Sequence, residues 1–186
     1  MTAEEFFKLS ETNLPTQLID GEIIMSPAAT PLHQDIVLNT AILLRALGQG
    51  GKVYVAPIDV YLDNMNVFQP EVVWIAADSQ CVIADKRLLG APDVIVEVLS
   101  PSTAKIDKTK KFRLYQQHGV REYWIADPEA GYLEAWTLVD GVYQYIGAFA
   151  AGEGFDSVVL AKRVDVSAIF PEAETNEPSD ECSTPI

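Results

Sequence analysis

Residues 90–119, GAPDVIVEVLSPSTAKIDKTKKFRLYQQHG, set the tightest limit on what this chain can fold into. A turn at Gly90 leads into an apolar strand, Val94 to Leu99, whose continuous run of large side chains suits burial on both faces of a sheet. Ser100-Pro101-Ser102 ends that strand, because proline has no N–H for a ladder and keeps the residue before it extended. A helix follows that carries Lys105, Lys108, Lys110, Lys111 and Arg113. A charge inside a buried strand is unfavourable unless a partner offsets it, and Glu97 is such a charge. Read from these residues alone, Glu97 is either half of a structural ion pair or part of a metal or acid–base site.

With 186 residues the chain is long enough for one domain with a substantial core, predicted over residues 1–171. Residues 172–186 read as an acidic, polar, disordered tail. No apolar run reaches the roughly 20 residues that span a membrane, and the acidic, amphipathic start MTAEEFFKLSE is not a signal peptide. Cys81 and Cys182 form neither a disulfide framework nor a zinc pattern, which fits a reducing, cytoplasmic setting. The net charge of −14 repels nucleic acid on average. Five of the 13 basic residues nevertheless fall between Lys105 and Arg113, the chain's one candidate phosphate-facing patch or else a solvated helix face.

The remaining elements follow from local chemistry. Thr2 and Glu5 make a capping box for a short helix. Gln17 to Ile19 and Glu22 to Met25 flank Asp20-Gly21 as a hairpin. Thr30 caps a second helix with Pro31 in its first turn, Gly48 at its end, and Val37, Ala41, Leu44 and Leu47 as its buried stripe. Lys52 to Leu62 and Val67 to Ala76 read as two antiparallel strands, Pro70 placing Glu71 where the second enters the sheet. Asp78 to Leu89 reads as irregular. Arg121 to Ala126 is predicted to lie parallel to Val94–Leu99, since a helix separates them. Tyr132 to Leu138 and Val142 to Phe149 form a hairpin around Asp140-Gly141, and Ser157 to Leu160 and Val164 to Phe170 close the domain.

Alternation along a strand puts Asp93, Ile95, Glu97 and Leu99 on one face. Asp93 and Glu97 are separated by about 13 Å, too far for one ion. Neighbouring strands lie only about 5 Å apart, so Glu71 is the better partner for Glu97. Two carboxylates, a backbone carbonyl and waters suit Mg²⁺ or Mn²⁺. A lysine beside them could orient or deprotonate water and offset charge on a pentavalent phosphate. Lys111, one helical turn from Asp107 and Tyr115, is the candidate; Lys108 shares much of its face. His33, near the start of the second helix, is either a structural hydrogen-bonder or a group at the rim of the site.

These segments resemble the Uma2 family, formerly a domain of unknown function expanded in cyanobacteria, within the PD-(D/E)XK nuclease superfamily. The resemblance is carried by QLIDGEIIMSP (17–27), LHQDIV (32–37), VAPIDVYLD (55–63), VFQPEVVWI (67–75), GAPDVIVEVLSPST (90–103), DKTKKFRLYQQHGVREYWIADPE (107–129) and AIFPE (168–172). It implies an α+β restriction-endonuclease-like core, a mixed sheet flanked by helices, and a metal-dependent site that cleaves phosphodiester bonds. The superfamily's two acids fall at Glu71 and Glu97. The first is usually aspartate. The lysine usually stands two residues after the second acid, where this chain has Leu99, and the family pattern supplies Lys111 instead. Asp93 matches the GAPD turn, as a capping residue or a further site residue, and His33 matches a family position.

The leading expectation is thus a Mg²⁺-dependent endonuclease acting on DNA. The alternative is a catalytically inactive member of the same fold that binds nucleic acid or protein, which the acidic net charge would suit. A glycosidase carboxylate pair is a third reading, without the surface aromatic clusters it would call for. Aromatic residues around Trp136, Tyr143 and Tyr145 are either core or a surface for homodimerisation.

Overall fold

The computed structural model describes residues 1–9 and 15–170. The expected tail at 172–186, with Cys182, lies outside the described residues. Among those described, four helical segments and fourteen strands follow the chain as α1 (Ala3–Phe6), β1 (Thr16–Ile19), β2 (Glu22–Met25), α2 (Pro31–Leu47), β3 (Lys52–Val55), β4 (Asp59–Asp63), β5 (Asn66–Phe68), β6 (Val72–Ile75), β7 (Val82–Ile83), β8 (Arg87–Leu89), β9 (Val94–Val98), α3 (Ala104–Ile106), α4 (Phe112–His118), β10 (Glu122–Asp127), β11 (Tyr132–Val139), β12 (Val142–Ala150), β13 (Gly154–Ser157) and β14 (Lys162–Asp165). A π-helical stretch, Asp107–Lys111, joins α3 to α4, and a 3-10 turn, Val166–Ala168, follows β14.

The central sheet has the order β12-β11-β10-β9-β6-β3, and a second sheet has the order β2-β1-β5-β4-β8-β7. In the central sheet β9 and β10 are parallel, as the intervening helix predicts, and the other pairs are antiparallel. Every residue of β9 is buried, because both faces of the strand are covered. Val94, Val96 and Val98 point into a core shared with Ile36, Val37 and Leu44 of α2, Trp124, and Phe155 and Val164 of the β13–β14 hairpin. Ile95 and Leu99 point the other way, into a core shared with Phe68, Val60 and Leu88 of the second sheet and Leu114 and Tyr115 of α4. The predicted stripe of α2 holds, with Val37 and Leu44 buried and Ala41 and Leu47 partly buried against the same core, and Ile36, outside that stripe, is fully buried as well.

Local chemistry accounts for the ends of the elements. The capping box at Thr2 and Glu5 is present. Thr30 Oγ1 accepts from the His33 N–H and Pro31 opens α2. Asp20-Gly21 and Asp140-Gly141 both take positive φ at each position, as two-residue hairpin turns of matching hand require. Gly119, at φ 85°, ends α4 in the left-handed conformation.

The structure corrects the reading of residues 52–76. They do not form two long strands in one sheet. The hairpin is divided at Pro57 and Pro70, so that β3 and β6 pair in the central sheet while β4 and β5 pair in the second. Neither proline can donate to a ladder, and the chain changes sheets where the ladder fails. The Ala56 N–H still donates to the Glu71 carbonyl (3.1 Å), which holds Glu71 at the crossing point between the sheets. Residues 78–89 are less irregular than expected, since β7 and β8 extend the second sheet. Tyr143 is core rather than surface, with its hydroxyl donating to the Val120 carbonyl, and Trp136 packs edge-on against Phe112. Of that aromatic trio Tyr145 remains exposed. No helix among the described residues is long and apolar enough to cross a membrane.

Candidate active site

A cavity of about 1290 Å³ opens where β9 ends, between the two sheets and the start of α2. Its inner wall carries His33, Glu71, Glu97, Asp107 and Lys111. Three features of the chain bring them there. The β6–β9 register pairs Val72 with Val96 and Val73 with Ile95; one step further sets Glu71 opposite Glu97, on the same face. The break at Ser100–Thr103 turns the chain back so that the helix lies across the end of β9. Within the π-helical stretch, Asp107 and Lys111 are four residues apart and face the same way.

The Lys111 ammonium lies 2.9 Å from Glu97 Oε1 and 2.9 Å from Asp107 Oδ1. All three side chains are at least 96% buried. Tyr115 donates its hydroxyl to the same Glu97 oxygen at 2.7 Å, while Glu97 Oε2 accepts no hydrogen bond among the described residues. Glu71 is about a quarter exposed, and its nearest charged neighbour is His33, with Nε2 3.6 Å from Oε1. His33 Nε2 is also 3.1 Å from the Val98 carbonyl, which can only accept, so Nε2 carries the proton. Its Nδ1 is buried and has no hydrogen-bond partner among the described residues.

Burial and crowding shape the titration of this cluster. Glu97 is pushed up to about 8, first by burial; Lys111 pulls it down, while Asp107 and Glu71 push it up further. Burial also raises Glu71, against the pull of His33 and Lys111. For Lys111 burial disfavours the charge, but Glu97 and Asp107 together overcome it and hold the ammonium above its ordinary range. Tyr115 is raised well above the usual phenol value by burial and by Glu97, so it stays a donor. Three carboxylates therefore face one ammonium, and the cluster carries excess negative charge when all are ionised.

Among the described residues no group of three or more His, Cys, Asp or Glu side chains is placed to hold a metal ion by itself. Two carboxylates are nonetheless the protein share typical of Mg²⁺, which keeps several waters and takes substrate oxygens for the rest. Glu71, the second oxygen of Glu97 and a lone pair of the Val98 carbonyl are hard oxygen donors of that kind. The donor set and its excess negative charge fit a divalent ion of the Mg²⁺ or Mn²⁺ class.

Two residues expected at the site are elsewhere. Asp93 sits at the opposite end of β9, where its carboxylate accepts from the Ala76 N–H (2.8 Å) and the Arg121 guanidinium (3.2 Å); it ties β6 to β9 and does not line the cavity. Lys108 points to the outer surface and pairs with Glu134 at 2.8 Å; the stretch that carries it is π-helical, with more residues per turn than an α-helix, so it does not share a face with Lys111 three residues on. Conversely, Asp107 and Tyr115 belong to the cluster, whereas the sequence marks them only as neighbours of Lys111. Their spacing at four residues on either side of Lys111 is the signal that points to them.

Comparison with known proteins places the chain in a family. The family model Uma2, described as "Putative restriction endonuclease", matches residues 3–166. An uncharacterized protein of Synechocystis sp. is 29% identical over 133 residues, covering 68% of this chain and 75% of the relative. A solved structure from Anabaena variabilis, described as a putative nuclease belonging to DUF820, superposes with a TM-score of 0.76 at 18% identity, covering 91% of this chain and 97% of that one. At that identity the likeness bears on the fold, and the α+β arrangement of mixed sheets is common to both.

Proposed function

The chain belongs to the Uma2 family, and from that premise we propose that it is a divalent-metal-dependent nuclease hydrolysing phosphodiester bonds of DNA. The observation that carries the reading is the buried Lys111 ammonium, 2.9 Å from Glu97, in a cavity that Glu71 also lines. Lysine supplied by the helix can serve in place of one two residues beyond the acid, because only the position of its charge matters to the phosphate. The nuclease descriptions carried by the family and by the Anabaena neighbour agree with this activity.

Glu71 and Glu97, with the Val98 carbonyl, would hold Mg²⁺ or Mn²⁺, which when bound acidifies water and draws charge from a phosphoryl oxygen. Lys111 is held charged by its two carboxylates, so its part is electrostatic: it offsets charge that builds on the phosphoryl oxygens. Asp107 keeps the ammonium in place, and Tyr115 fixes the Glu97 carboxylate so that its other oxygen stays available. His33 restrains both Glu71 and the Val98 carbonyl. In the reaction a water oxygen bonds to phosphorus, the bond from phosphorus to one sugar oxygen breaks, and that oxygen takes up a proton. The products are a phosphomonoester and an alcohol.

A second reading, a binding module without cleavage, draws on charge. Asp59, Glu71, Glu97, Asp107, Asp127 and Glu129 all line the cavity, against Lys86, Arg87 and Lys111. The two readings separate in one experiment, in which purified protein is incubated with plasmid and with oligonucleotides in Mg²⁺ or Mn²⁺. Cleavage that stops with a chelator, and that falls at least about 100-fold in Glu97→Gln and Lys111→Ala, is the expected result. No cleavage, or variants that cut as well as the parent, would remove the nuclease reading.

A further inference from the structure

The depth, charge and walls of the cavity bear on which form of nucleic acid can reach it. Building on the nuclease reading, we infer that the strand engaged at Glu97 is unpaired, as a single strand, flap or loop, and that the stacked pair Phe7–Arg87 is its docking platform.

Four observations lead there. The groups that would act on phosphate are at the bottom of a recess: Glu97 and Lys111 are each 4% exposed by side chain. The recess, about 1290 Å³, is somewhat larger than ligand pockets of roughly 300–1,000 Å³, room for a few nucleotides of one strand rather than for a length of duplex. A duplex carries about one negative charge per 1.7 Å of its axis and calls for an extended basic surface. Here the net charge is −14 and the lining is rich in carboxylates, so among the described residues the cavity has no extended basic surface.

The fourth observation is what the outer wall offers instead. Arg87 of β8 lies over the Phe7 ring, with Cζ 3.4 Å from the ring centroid, and Phe6 packs edge-on against Phe7 at 5.7 Å. Neither Arg87 nor its neighbour Lys86 has a carboxylate within ion-pair distance among the described residues, whereas Lys111 has two. A guanidinium plane backed by an aromatic ring is a surface on which a splayed base stacks whatever its sequence. Lys86, exposed beside it, matches a phosphate or two of one strand. Bases within a duplex are stacked on each other and cannot use such a platform.

Binding and cleavage are measured separately, so that this inference and the nuclease reading can fail independently. Fluorescence anisotropy follows labelled oligo-dT and a hairpin duplex of equal nucleotide number, bound to the full chain with Glu97→Gln in Mg²⁺ at low salt. The expected result is binding of oligo-dT at least about tenfold tighter than binding of the duplex. In that background Arg87→Ala should weaken the single strand about tenfold and Arg87→Lys less, with duplex binding unmoved. Lys86→Ala, an exposed change that leaves the Phe7 stack in place, should weaken oligo-dT by a smaller factor. Equal or tighter duplex binding, no binding of either, or an unchanged Arg87→Ala and Lys86→Ala would overturn the inference. In the cleavage arm, the parent is expected to cut single strands and flaps ahead of a closed relaxed duplex, and equal rates would also overturn it. Selective binding with no cleavage of any strand would refute the nuclease reading and support strand selection.

Discussion

Two buried glutamates, on adjacent strands but opposite faces of the central sheet, have been given different company. Glu122 of β10 faces the core that α2 and the β13–β14 hairpin complete. Its carboxylate accepts from the Trp124 indole N–H (3.0 Å), the Ser157 hydroxyl (2.8 Å) and the Val159 N–H (3.0 Å). These donors are neutral and satisfy both oxygens, so the residue staples the 157–160 turn to the sheet. Glu97 of β9 faces the cavity, with one oxygen held by Lys111 and Tyr115, the other without a hydrogen bond among the described residues, and two more acids close by. Burial raises both carboxyls above their ordinary range. What separates the two acids is whether the partners exhaust the oxygens and the charge, and on the proposed function that is what leaves Glu97 for an ion.

That contrast can be broken first at the cation. Lys111→Met removes the ammonium that Glu97 and Asp107 share and leaves buried carboxylates facing each other. Urea unfolding at neutral pH should report a loss of about 3–5 kcal/mol, and a loss well under this would mean that the pair is not what holds the helix across β9. On the other face, Glu122→Gln exchanges an acceptor oxygen for an amide that opposes one of three donors. Its expected destabilisation is about 1–3 kcal/mol, with the rate of any cleavage per folded molecule unchanged. A Glu122→Gln protein that is fully stable but loses activity would reverse the assignment of the two acids.

The effect that is smallest per step is a pH dependence, spread over several pH units. Because Glu97 titrates near 8 in the folded state and near 4.5 when exposed, the native state binds more protons than the unfolded one between those values. Metal-free stability therefore declines as pH rises through that window and levels off above about 8. A divalent ion binds the ionised form, so its affinity should run the opposite way, rising about tenfold per pH unit (about 1.4 kcal/mol) below 8. Calorimetry at pH 6, 7 and 8 on the parent and on Glu97→Gln would check this. A parent affinity that is flat with pH would mean that Glu97 does not hold the ion.

Much of this is legible along the chain. The hairpin turns at Asp20-Gly21 and Asp140-Gly141, the capped start of α2, and the parallel β9–β10 pair with its helical crossover all follow from turn chemistry and periodicity. So does the expectation that Glu71 and Lys111 meet Glu97, since strand alternation and a downstream lysine helix leave few other partners. The division of residues 52–76 between two sheets is less legible: the prolines mark where a ladder must fail, but not which sheet each half then joins. Asp93 and Lys108 show the same limit. Asp93 shares a face with Glu97, yet the length of β9 puts it at the far end, on Ala76 and Arg121. Lys108 lies three residues before Lys111, yet the π-helical winding of that stretch sends it to Glu134.

The amino-acid order by itself determined the strand with a charge in it, the proline breaks, the caps and the turn that returns the lysine helix to that strand, because each of these depends on near neighbours. Only the tertiary structure decided that Asp107 and Tyr115 join the cluster and that Arg87 stacks on Phe7 at the outer wall of the same cavity. Those contacts depend on how two sheets and a helix are set against each other, and the burial that raises the Glu97 carboxyl arises only when they close around it.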